Sequence, residues 1–271
     1  MISKAVILAA GRGSRLCPIT PFLPKEMLPV MGFPAIHYVL TELADAGVKD
    51  VVVVLSDGKE AIRDYLTGEP APKGAEASLA SDIRKQTLSR LSISFVRQEE
   101  LLGTAHAVSL AREFAGEDPI LVVFPDDLLY DPKSGAAVPL GIEALSDTYE
   151  KTKESVLLAA EVPGKEASQY GVLRLKKCGS LRLVSEIVEK PLHFEEEHAF
   201  VLIGRMLLTT ETLDLIPQYR FSDGDGIIPV LQKGANADAL YACVYRGPRY
   251  DLGSHQGYRS VWRDSLAART E

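Results

Sequence analysis

The sequence predicts an α/β fold in which an open, mixed, mostly parallel sheet is flanked by helices. The continuous apolar runs "AVILAAG" at 5–11 and "VVVVLS" at 51–56 are typical of parallel strands buried on both faces. A helical pattern separates them, and the order strand, helix, strand indicates a Rossmann-like parallel sheet with right-handed crossovers. Runs from about residue 155 alternate apolar and polar positions, which predicts that this part of the sheet is antiparallel or mixed.

The elements follow in chain order from local signals. The helix "PAIHYVLTELADAGVKD" begins at Pro34 and stops at Gly47, because proline suits the first helical position and glycine the end. A second helix begins near Lys59, and "GEPAPKGAEASLA" at 68–80 predicts a mobile surface loop. The remaining predicted elements are strands at 93–98 and 119–127 with a helix at 103–116 between them, strands at 155–162, 170–176, 183–189 and 199–209, a strand at 241–247 and a helix from about His255.

Composition excludes several classes of protein. With 271 residues, 46% hydrophobic and 25% charged, the chain has the balance of an ordinary globular protein with a proper core. Its net charge is −7 and its basic residues are scattered, which argues against a nucleic-acid partner. The three cysteines are far apart and lack metal-ligand spacing, so we expect reduced thiols in a cytoplasmic protein. No run is long enough to span a bilayer, so no membrane partner is expected.

The loop "GRGSR" follows the first predicted strand, where α/β sheets bind ligands. Gly11 and Gly13 would let backbone amides approach phosphate oxygens, and Arg12 or Arg15 would add positive charge. The dinucleotide fingerprint fails, because Leu16 stands where its third glycine belongs, and no P-loop is present. A plain strand-to-helix turn is the alternative interpretation of this loop.

Charged residues also stand at two other places expected near the ligand edge. Lys25 lies in the proline-stiffened segment "PKEMLPV", where a lysine loses less freedom when it binds an anion. Asp126 and Asp127 follow an apolar strand in "FPDD", and strand alternation would let only one of them reach a shared ligand. Taken alone, either aspartate is more commonly a cap or turn residue.

Ordered blocks across nearly the whole chain resemble the bacterial UTP-glucose-1-phosphate uridylyltransferases, which are sugar-nucleotide pyrophosphorylases with the nucleotide-diphospho-sugar transferase fold. These blocks are "KAVILAAGRGSRL" from Lys4, "PKEMLPV" from Pro24, "DGKEAIRDYL" at 57–66, "VRQ" at 96–98, "GTAHAV" at 103–108, "PDDLL" at 125–129, "YGVL" at 170–173, "VEKP" at 188–191, "GR" at 204–205 and "YDLGSHQGY" at 250–258. Such an ordered set is far more specific than any single block.

The resemblance implies a reaction between two anions. The phosphate of glucose 1-phosphate would attack the α-phosphorus of UTP in line, giving UDP-glucose and pyrophosphate without a covalent enzyme intermediate. It assigns Arg15 to the departing pyrophosphate, Lys25 to the phosphates in the transition state, and Asp126 with Asp251 to Mg²⁺. Mg²⁺ commonly takes one or two carboxylates and completes its coordination with phosphate and water, which suits this pair.

The resemblance also assigns the binding residues. The nucleotide would be held by Ala10, Gly11, Gly13, Glu26, Gln98 and Gly103, and the sugar phosphate by Gly171, Glu189 and Lys190. A single domain over 1–271 is expected, with its nucleotide-binding part at about 1–130 and its sugar-binding part at about 131–271. Relatives of this kind are commonly homodimers or homotetramers, and the helix 255–268 could supply a contact surface.

Two departures from the family pattern leave alternatives open. Pro21 stands where many relatives carry a lysine, and Val230 in "GDGIIPVLQ" stands where an aspartate is usual. The sugar could therefore differ from glucose, or the nucleotide could be thymidylyl. A third alternative is a catalytically inactive regulatory homologue. A nicotinamide dehydrogenase is disfavoured by the missing third glycine.

Overall fold

The computed structural model describes residues 2–68, 75–218 and 226–270 and divides the chain into two compact units. Unit 1 comprises Met1–Val6, Glu100–Val123 and Leu140–Arg246. Unit 2 comprises Ile7–Glu99, Phe124–Pro139 and Gly247–Glu271. The predicted single domain with two binding parts stays a prediction.

Strands and helices are interspersed along the chain. The strands are β1 Lys4–Leu8, β2 Pro29–Val30, β3 Phe33–Pro34, β4 Asp50–Leu55, β5 Ser92–Arg97, β6 Ile120–Val123, β7 Asp127–Asp131, β8 Ala136–Ala137, β9 Ser155–Pro163, β10 Gly171–Cys178, β11 Leu181–Glu189, β12 His198–Leu208, β13 Leu240–Tyr245 and β14 Arg249–Asp251. The α-helices are α1 Ala35–Asp45, α2 Glu60–Thr67, α3 Ala75–Leu88, α4 Gly103–Ser109, α5 Arg112–Ala115, α6 Leu140–Thr152, α7 Thr210–Leu215, α8 Ile228–Asn236 and α9 His255–Ala267. The predicted mixed α/β fold is confirmed.

Unit 1 contains a mixed sheet in the order β10, β11, β13, β9, β12, β6. Strand β13 runs parallel to β9, whereas the other neighbours in this order are antiparallel. The alternating runs after residue 155 therefore predicted the direction of these strands correctly. Residues 156–159 of β9 are completely shielded from solvent, so the centre of this sheet forms the core of the unit.

In unit 2, β4 and β5 pair in parallel from Asp50 opposite Ser92 to Leu55 opposite Arg97. The valines of β4 are almost fully buried, as expected for a strand covered on both faces. Helix α1 begins after Pro34 and ends before Gly47, whose φ of 86° is readily reached only by glycine. The sequence signals therefore placed this strand and helix within one or two residues.

Three predicted elements have different bounds in the structure. The strand predicted at 119–127 is present as β6, but its predicted end is wrong, because β6 ends at Val123 and a turn precedes β7, with the Asp127 amide donating to the Phe124 carbonyl at 3.2 Å. The helix predicted at 103–116 is divided into α4 and α5. The loop predicted at 68–80 is wrong from Ala75, where α3 begins, and its residues 69–74 lie outside the described residues.

Within the described ranges, the helices are all too short or too polar to cross a membrane.

Candidate active site

The glycine-rich loop after β1 is shaped by Gly13. Gly13 has a φ of 67°, and a Cβ there would lie 2.9 Å from the Thr20 methyl carbon, so a larger residue would be strained and crowded. The Thr20 hydroxyl donates to the Gly13 carbonyl at 2.9 Å, which ties the loop to the following segment. A 3-10 turn, Ser14–Leu16, then buries Leu16 and leaves Arg15 more than half exposed. The glycine-rich loop is therefore followed by a 3-10 turn rather than by an α-helix.

Lys25 is placed by a second short turn. The Met27 amide donates to the Pro24 carbonyl at 2.8 Å, so the residues Lys25–Met27 form a 3-10 turn directly after a proline. The Lys25 ammonium donates to Asp126 Oδ2 at 2.6 Å, and both side chains are largely buried. It also lies 4.0 Å from the position that a Cβ on Gly11 would occupy. The ammonium therefore borders the backbone of the glycine-rich loop.

Asp126 and Asp251 are brought together by the pairing of β14 with β7. In that antiparallel pair Asp251 lies opposite Asp127, and the Leu252 amide donates to the Asp126 carbonyl at 2.7 Å. A Cβ built on Gly253 would lie 2.7 Å from Asp126 Oδ2 and 3.0 Å from Asp251 Oδ1. The two carboxylates consequently face one small space around Gly253.

Arg15 borders the same space. Its Nη2 would lie 2.7 Å from a Cβ on Gly253, and its Nη1 is 3.6 Å from Asp251 Oδ2. Four residues that the sequence singled out, Arg15, Lys25, Asp126 and Asp251, thus form one charged cluster inside unit 2. Three separate stretches of the chain supply them, which is why no local motif could have revealed their proximity.

Asp127 has a different environment from Asp126. Arg249 donates two hydrogen bonds to the Asp127 carboxylate, from Nε at 2.6 Å and from Nη2 at 3.0 Å. Such a bidentate pair neutralises the carboxylate and fixes its direction. Asp127 is therefore paired with Arg249, whereas Asp126 is paired with Lys25 of the charged cluster.

Burial and neighbouring charges shift the pKa values within the cluster. Burial alone would raise the pKa of Asp126, but the charge and hydrogen bond of Lys25 outweigh it, so the pKa is lowered. Burial alone would lower the pKa of Lys25, but the charges of Asp126 and Glu26 outweigh it, so the pKa is raised. Burial raises the pKa of Asp251, and the charge of Asp126 raises it further. The two carboxylates repel each other and would gain from a cation between them.

The donor set fits a divalent metal ion of the oxygen-preferring kind. Asp126 and Asp251 offer carboxylate oxygens on one side of a small space, and phosphate and water commonly fill the other positions around Mg²⁺. Among the residues that the structure describes, no group of three or more His, Cys, Asp or Glu side chains could hold a metal ion. Two carboxylates with a bound phosphate therefore suit these residues better than an all-protein cage.

Of the nucleotide-binding residues predicted from the family resemblance, Ala10, Glu26 and Gln98 are buried in unit 2, whereas Gly11 is exposed and Gly13 is half-buried. The Ser56 hydroxyl donates to the Ala10 carbonyl at 2.8 Å, and the backbone amide of Gln98 donates to the Leu55 carbonyl at 2.7 Å. These bonds hold the backbone at Ala10 and at Gln98 beside β4. Glu26 is fully buried, and its Oε2 accepts a hydrogen bond from the Lys59 ammonium at 2.9 Å. Gly103 belongs to unit 1, where it begins α4 with a φ of 88°.

The predicted sugar-phosphate residues lie together in unit 1. Gly171 of β10 pairs with Glu189 of β11, and a Cβ on Gly171 would lie 2.8 Å from Ile228 Cδ1 and 3.2 Å from Glu189 Oε2. Lys190 has a φ of 43°, which is unusual for a residue with a side chain. This turn before Pro191 brings Lys190 Nζ within 3.1 Å of Glu189 Oε1, so two adjacent residues present their charges on the same side.

The sequence reasoning missed four residues that build the site: Lys59, Arg249, Gly253 and Gly257. The last two had a signal in the block "YDLGSHQGY", whose spaced glycines suggest close approaches. A Cβ on Gly257 would lie 2.0 Å from the Asp251 carbonyl oxygen, so the first turn of α9 requires glycine at this position. The Ser254 hydroxyl caps this helix by accepting from the Gly257 amide at 3.1 Å.

Comparison with known proteins identifies the family. The nucleotidyl transferase family model matches residues 4–267. The chain belongs to the nucleotidyl transferase family. Members of this family generally use a divalent metal ion. The match covers residues of both units, including the charged cluster.

Individual relatives agree with the family assignment. This nucleotidyl transferase is 32% identical over 271 residues to UTP--glucose-1-phosphate uridylyltransferase 2 of Staphylococcus saprophyticus, covering 95% of this chain and 89% of the relative. It is 32% identical over 265 residues to the UTP--glucose-1-phosphate uridylyltransferase of Bacillus subtilis, covering 95% and 88%. The resemblance inferred from the sequence blocks is therefore confirmed.

Solved structures show the same fold. A UDP-glucose pyrophosphorylase complexed with UDP-glucose matches with a TM-score of 0.85 at 26% identity, covering 100% of both chains. A UTP-bound UGPase from Acinetobacter baumannii matches with a TM-score of 0.79 at 25% identity, covering 100% of this chain and 98% of that one. These matches confirm the predicted fold class.

Proposed function

We propose that this nucleotidyl transferase makes UDP-glucose and pyrophosphate from UTP and glucose 1-phosphate by in-line attack on the α-phosphorus with Mg²⁺ present. The names and bound ligands of its relatives support the substrates. The single observation in the structure that carries the proposal is the charged cluster of Arg15, Lys25, Asp126 and Asp251. Two cations and two carboxylates converging beside a glycine-rich loop are what a polyphosphate with a metal ion requires.

The chemical problem is repulsion between the attacking phosphate and the triphosphate. Lys25 would exchange its contact with Asp126 for phosphate oxygens, and its raised pKa keeps it charged for that role. Arg15, which is more exposed, would stabilise the departing pyrophosphate. Positioning and charge neutralisation of this kind supply most of the acceleration in phosphoryl transfer.

Asp126 and Asp251 would hold the Mg²⁺ ion, which when bound neutralises charge on phosphate oxygens. The bond between Arg249 and Asp127 keeps the neighbouring carboxylate away from this task. The choice of Mg²⁺ rests on the oxygen donors and on the substrates proposed here.

Binding residues are assigned within each unit. In unit 2, Ala10, Gly11 and Gly13 would offer backbone groups to the nucleotide, and Glu26 and Gln98 would complete its recognition. In unit 1, Gly103 would contribute to nucleotide recognition, while Gly171, Glu189 and Lys190 would bind the sugar phosphate. The turn at Lys190 supports the last assignment, because strained backbone at a non-glycine residue is common at functional sites.

A thymidylyltransferase is the second candidate for the reaction. Thymine differs from uracil by one methyl group, which is worth only about 1–3 kcal/mol in a binding pocket. We favour UTP because relatives at 32% identity carry that name. An inactive regulatory homologue is disfavoured, since Arg15, Lys25, Asp126, Lys190 and Asp251 all keep their functional groups. A homodimer or homotetramer stays a prediction from the family.

A substrate panel tests the proposal. Purified protein with Mg²⁺ is supplied with UTP, dTTP, CTP, ATP or GTP, each with glucose, galactose or N-acetylglucosamine 1-phosphate, and pyrophosphate release is measured. We expect the highest kcat/KM with UTP and glucose 1-phosphate, and a kcat lower by about 10²–10³-fold in a Lys25→Met variant prepared in parallel. If another pair gave a higher kcat/KM, that pair would replace the proposed substrates. If no pair released pyrophosphate, the proposed enzymatic activity would be wrong.

A further inference from the structure

A buried ion pair lies beside Lys25 in unit 2. Glu26 follows Lys25 in the same 3-10 turn, and Lys59 lies immediately before α2. The Lys59 ammonium is 2.9 Å from Glu26 Oε2, and the side chains are 8% and 0% exposed. The pair therefore fastens the turn that carries Lys25 to the start of a helix.

Glu26 depends on this contact. Its second oxygen, Oε1, is buried and has no hydrogen-bond partner among the described residues. Burial raises the pKa of Glu26, and the charges of Lys25 and Lys59 oppose that rise. Lys59 is therefore one of two cations whose charge favours the ionised form of Glu26 against the effect of its burial.

Four charges alternate in sign from Asp126 through Lys25 and Glu26 to Lys59. Lys25 faces Asp126 at 2.6 Å, while the charge of Glu26 also acts on it. Without Lys59, Glu26 would be left with Lys25 as its neighbouring cation, and in its ionised form the carboxylate would attract that ammonium. An ammonium held by Glu26 is less free to bind phosphate.

We propose that Lys59 is a positioning residue for nucleotidyl transfer, which by pairing with Glu26 leaves Lys25 available to the phosphates. This inference rests on the proposed function, because it assumes that Lys25 serves the transferred phosphate. In this role Lys59 needs no contact with the substrate or with the reacting atoms. It acts through the charge and the place of Glu26.

Stability alone is a weak explanation for such a pair. Replacing both partners of a buried ion pair by uncharged groups is often neutral for stability, whereas removing one partner leaves an uncompensated charge. The inference therefore predicts a specific rescue. Loss of Lys59 should impair turnover, and additional loss of the charge on Glu26 should restore part of it.

The experiment compares Lys59→Met, Lys59→Arg, Glu26→Gln and the double variant Glu26→Gln/Lys59→Met. Removing a residue that orients a metal ligand typically costs about 10–100-fold in activity, and we expect a kcat loss of similar size for Lys59→Met. The KM for UTP should change by less than about threefold, because nucleotide binding uses many other groups. The double variant should recover at least about fivefold in kcat over Lys59→Met, and Lys59→Arg should retain most of the turnover.

Controls separate positioning from misfolding. Lys49→Met, at an exposed lysine of the same unit, should match the wild type in kcat and in Tm. Thermal unfolding is recorded for every variant, and the double variant, which leaves no uncompensated charge, decides the matter if Lys59→Met is unstable.

Three outcomes are informative. Recovery of kcat in the double variant supports the inference. If the wild type is active, the inference is wrong when Lys59→Met has an unchanged kcat. It is also wrong when the double variant is no faster than Lys59→Met. Absence of pyrophosphate release from the wild type would instead overturn the proposed function.

Discussion

The Lys25 ammonium and Asp126 Oδ2 lie 2.6 Å apart, although 101 residues separate them in the chain. Each holds the other in its charged form, since the contact helps to lower the pKa of Asp126 and to raise that of Lys25. A bound triphosphate would offer Lys25 a new negatively charged partner, and a bound metal ion would offer Asp126 a new positively charged one. The exchange therefore costs little electrostatic energy, and both groups are charged before substrate arrives.

Removing the ammonium should affect turnover more than binding. Lys25→Met keeps the length of the side chain but removes its charge, so we expect kcat to fall by about 10²–10³-fold, as for other groups that stabilise transition-state charge. The KM for UTP should rise by less than about tenfold. Steady-state pyrophosphate release measures both constants. Lys133→Met, at an exposed lysine of the same unit, is the matched control, and an unchanged kcat in Lys25→Met would remove Lys25 from the mechanism.

Substitution by asparagine should have different effects at the two neighbouring aspartates, Asp251 and Asp127. Asp251→Asn removes a proposed metal ligand, so the Mg²⁺ concentration for half-maximal activity should rise by about tenfold or more. Asp127→Asn weakens the bond to Arg249 and should lower Tm while leaving that concentration within about twofold of the wild type. Titration of activity with Mg²⁺, alongside thermal unfolding, distinguishes them. An equal rise in the Mg²⁺ concentration for half-maximal activity in both variants would contradict the assignment of Asp251.

Gly253 should tolerate no side chain. In Gly253→Ala the new Cβ would lie within 3.0 Å of atoms of Arg15, Asp126 and Asp251, so the charged cluster must spread. Such misplacement of reacting groups costs on the order of 10²-fold in kcat/KM. The variant is assayed for pyrophosphate release and for Tm.

Gly234→Ala serves as its control, because a Cβ in α8 would meet Leu240 at an ordinary 3.6 Å. We expect Gly234→Ala to keep full activity with an equal or higher Tm, since alanine favours helix over glycine. Full activity in Gly253→Ala would show that the space around Gly253 is larger than the contacts indicate.

The strands and most helices were predictable because their signals are local. Buried runs such as 51–56 and the proline and glycine at the two ends of α1 act over a few residues. The turn from Phe124 to Asp127 that follows β6 was missed, although Pro125 in this run is a signal for the end of a strand. Periodicity alone cannot reveal such a turn.

The candidate site was predictable only through the family resemblance. Arg15 and Lys25 had local signals, but nothing in the residues alone linked Asp126 with Asp251, which depends on the register of β14 against β7. Lys59 was missed for the same reason, since its contact with Glu26 spans 33 residues. Long-range contacts of this kind come from the packing of the whole unit, which no short stretch encodes.

His37 should make the stability of the protein depend on pH. Its ring is stacked on Phe33 at 4.3 Å between centroids, and its Nδ1 is 3.0 Å from the Tyr65 hydroxyl. Burial, with the charge of Arg84, lowers the pKa of His37 from 6.5 to about 4. Above pH 6.5 the ring is neutral in both the folded and the unfolded chain, so its contribution to the free energy of unfolding is complete there.

As the pH falls below 6.5, the unfolded chain binds a proton at His37 before the folded chain does, so this contribution is lost progressively until the pH passes about 4. The full loss is about 3 kcal/mol, from a shift of about 2.5 pKa units at 1.36 kcal/mol each. We expect His37→Gln, which keeps a hydrogen-bonding group without this titration, to lose about 2–3 kcal/mol less than the wild type between pH 7 and pH 4.5. Urea unfolding at both pH values measures the difference. His255→Gln, at an exposed histidine, should behave as the wild type, and parallel losses in the wild type and His37→Gln would show that His37 titrates normally in the folded protein.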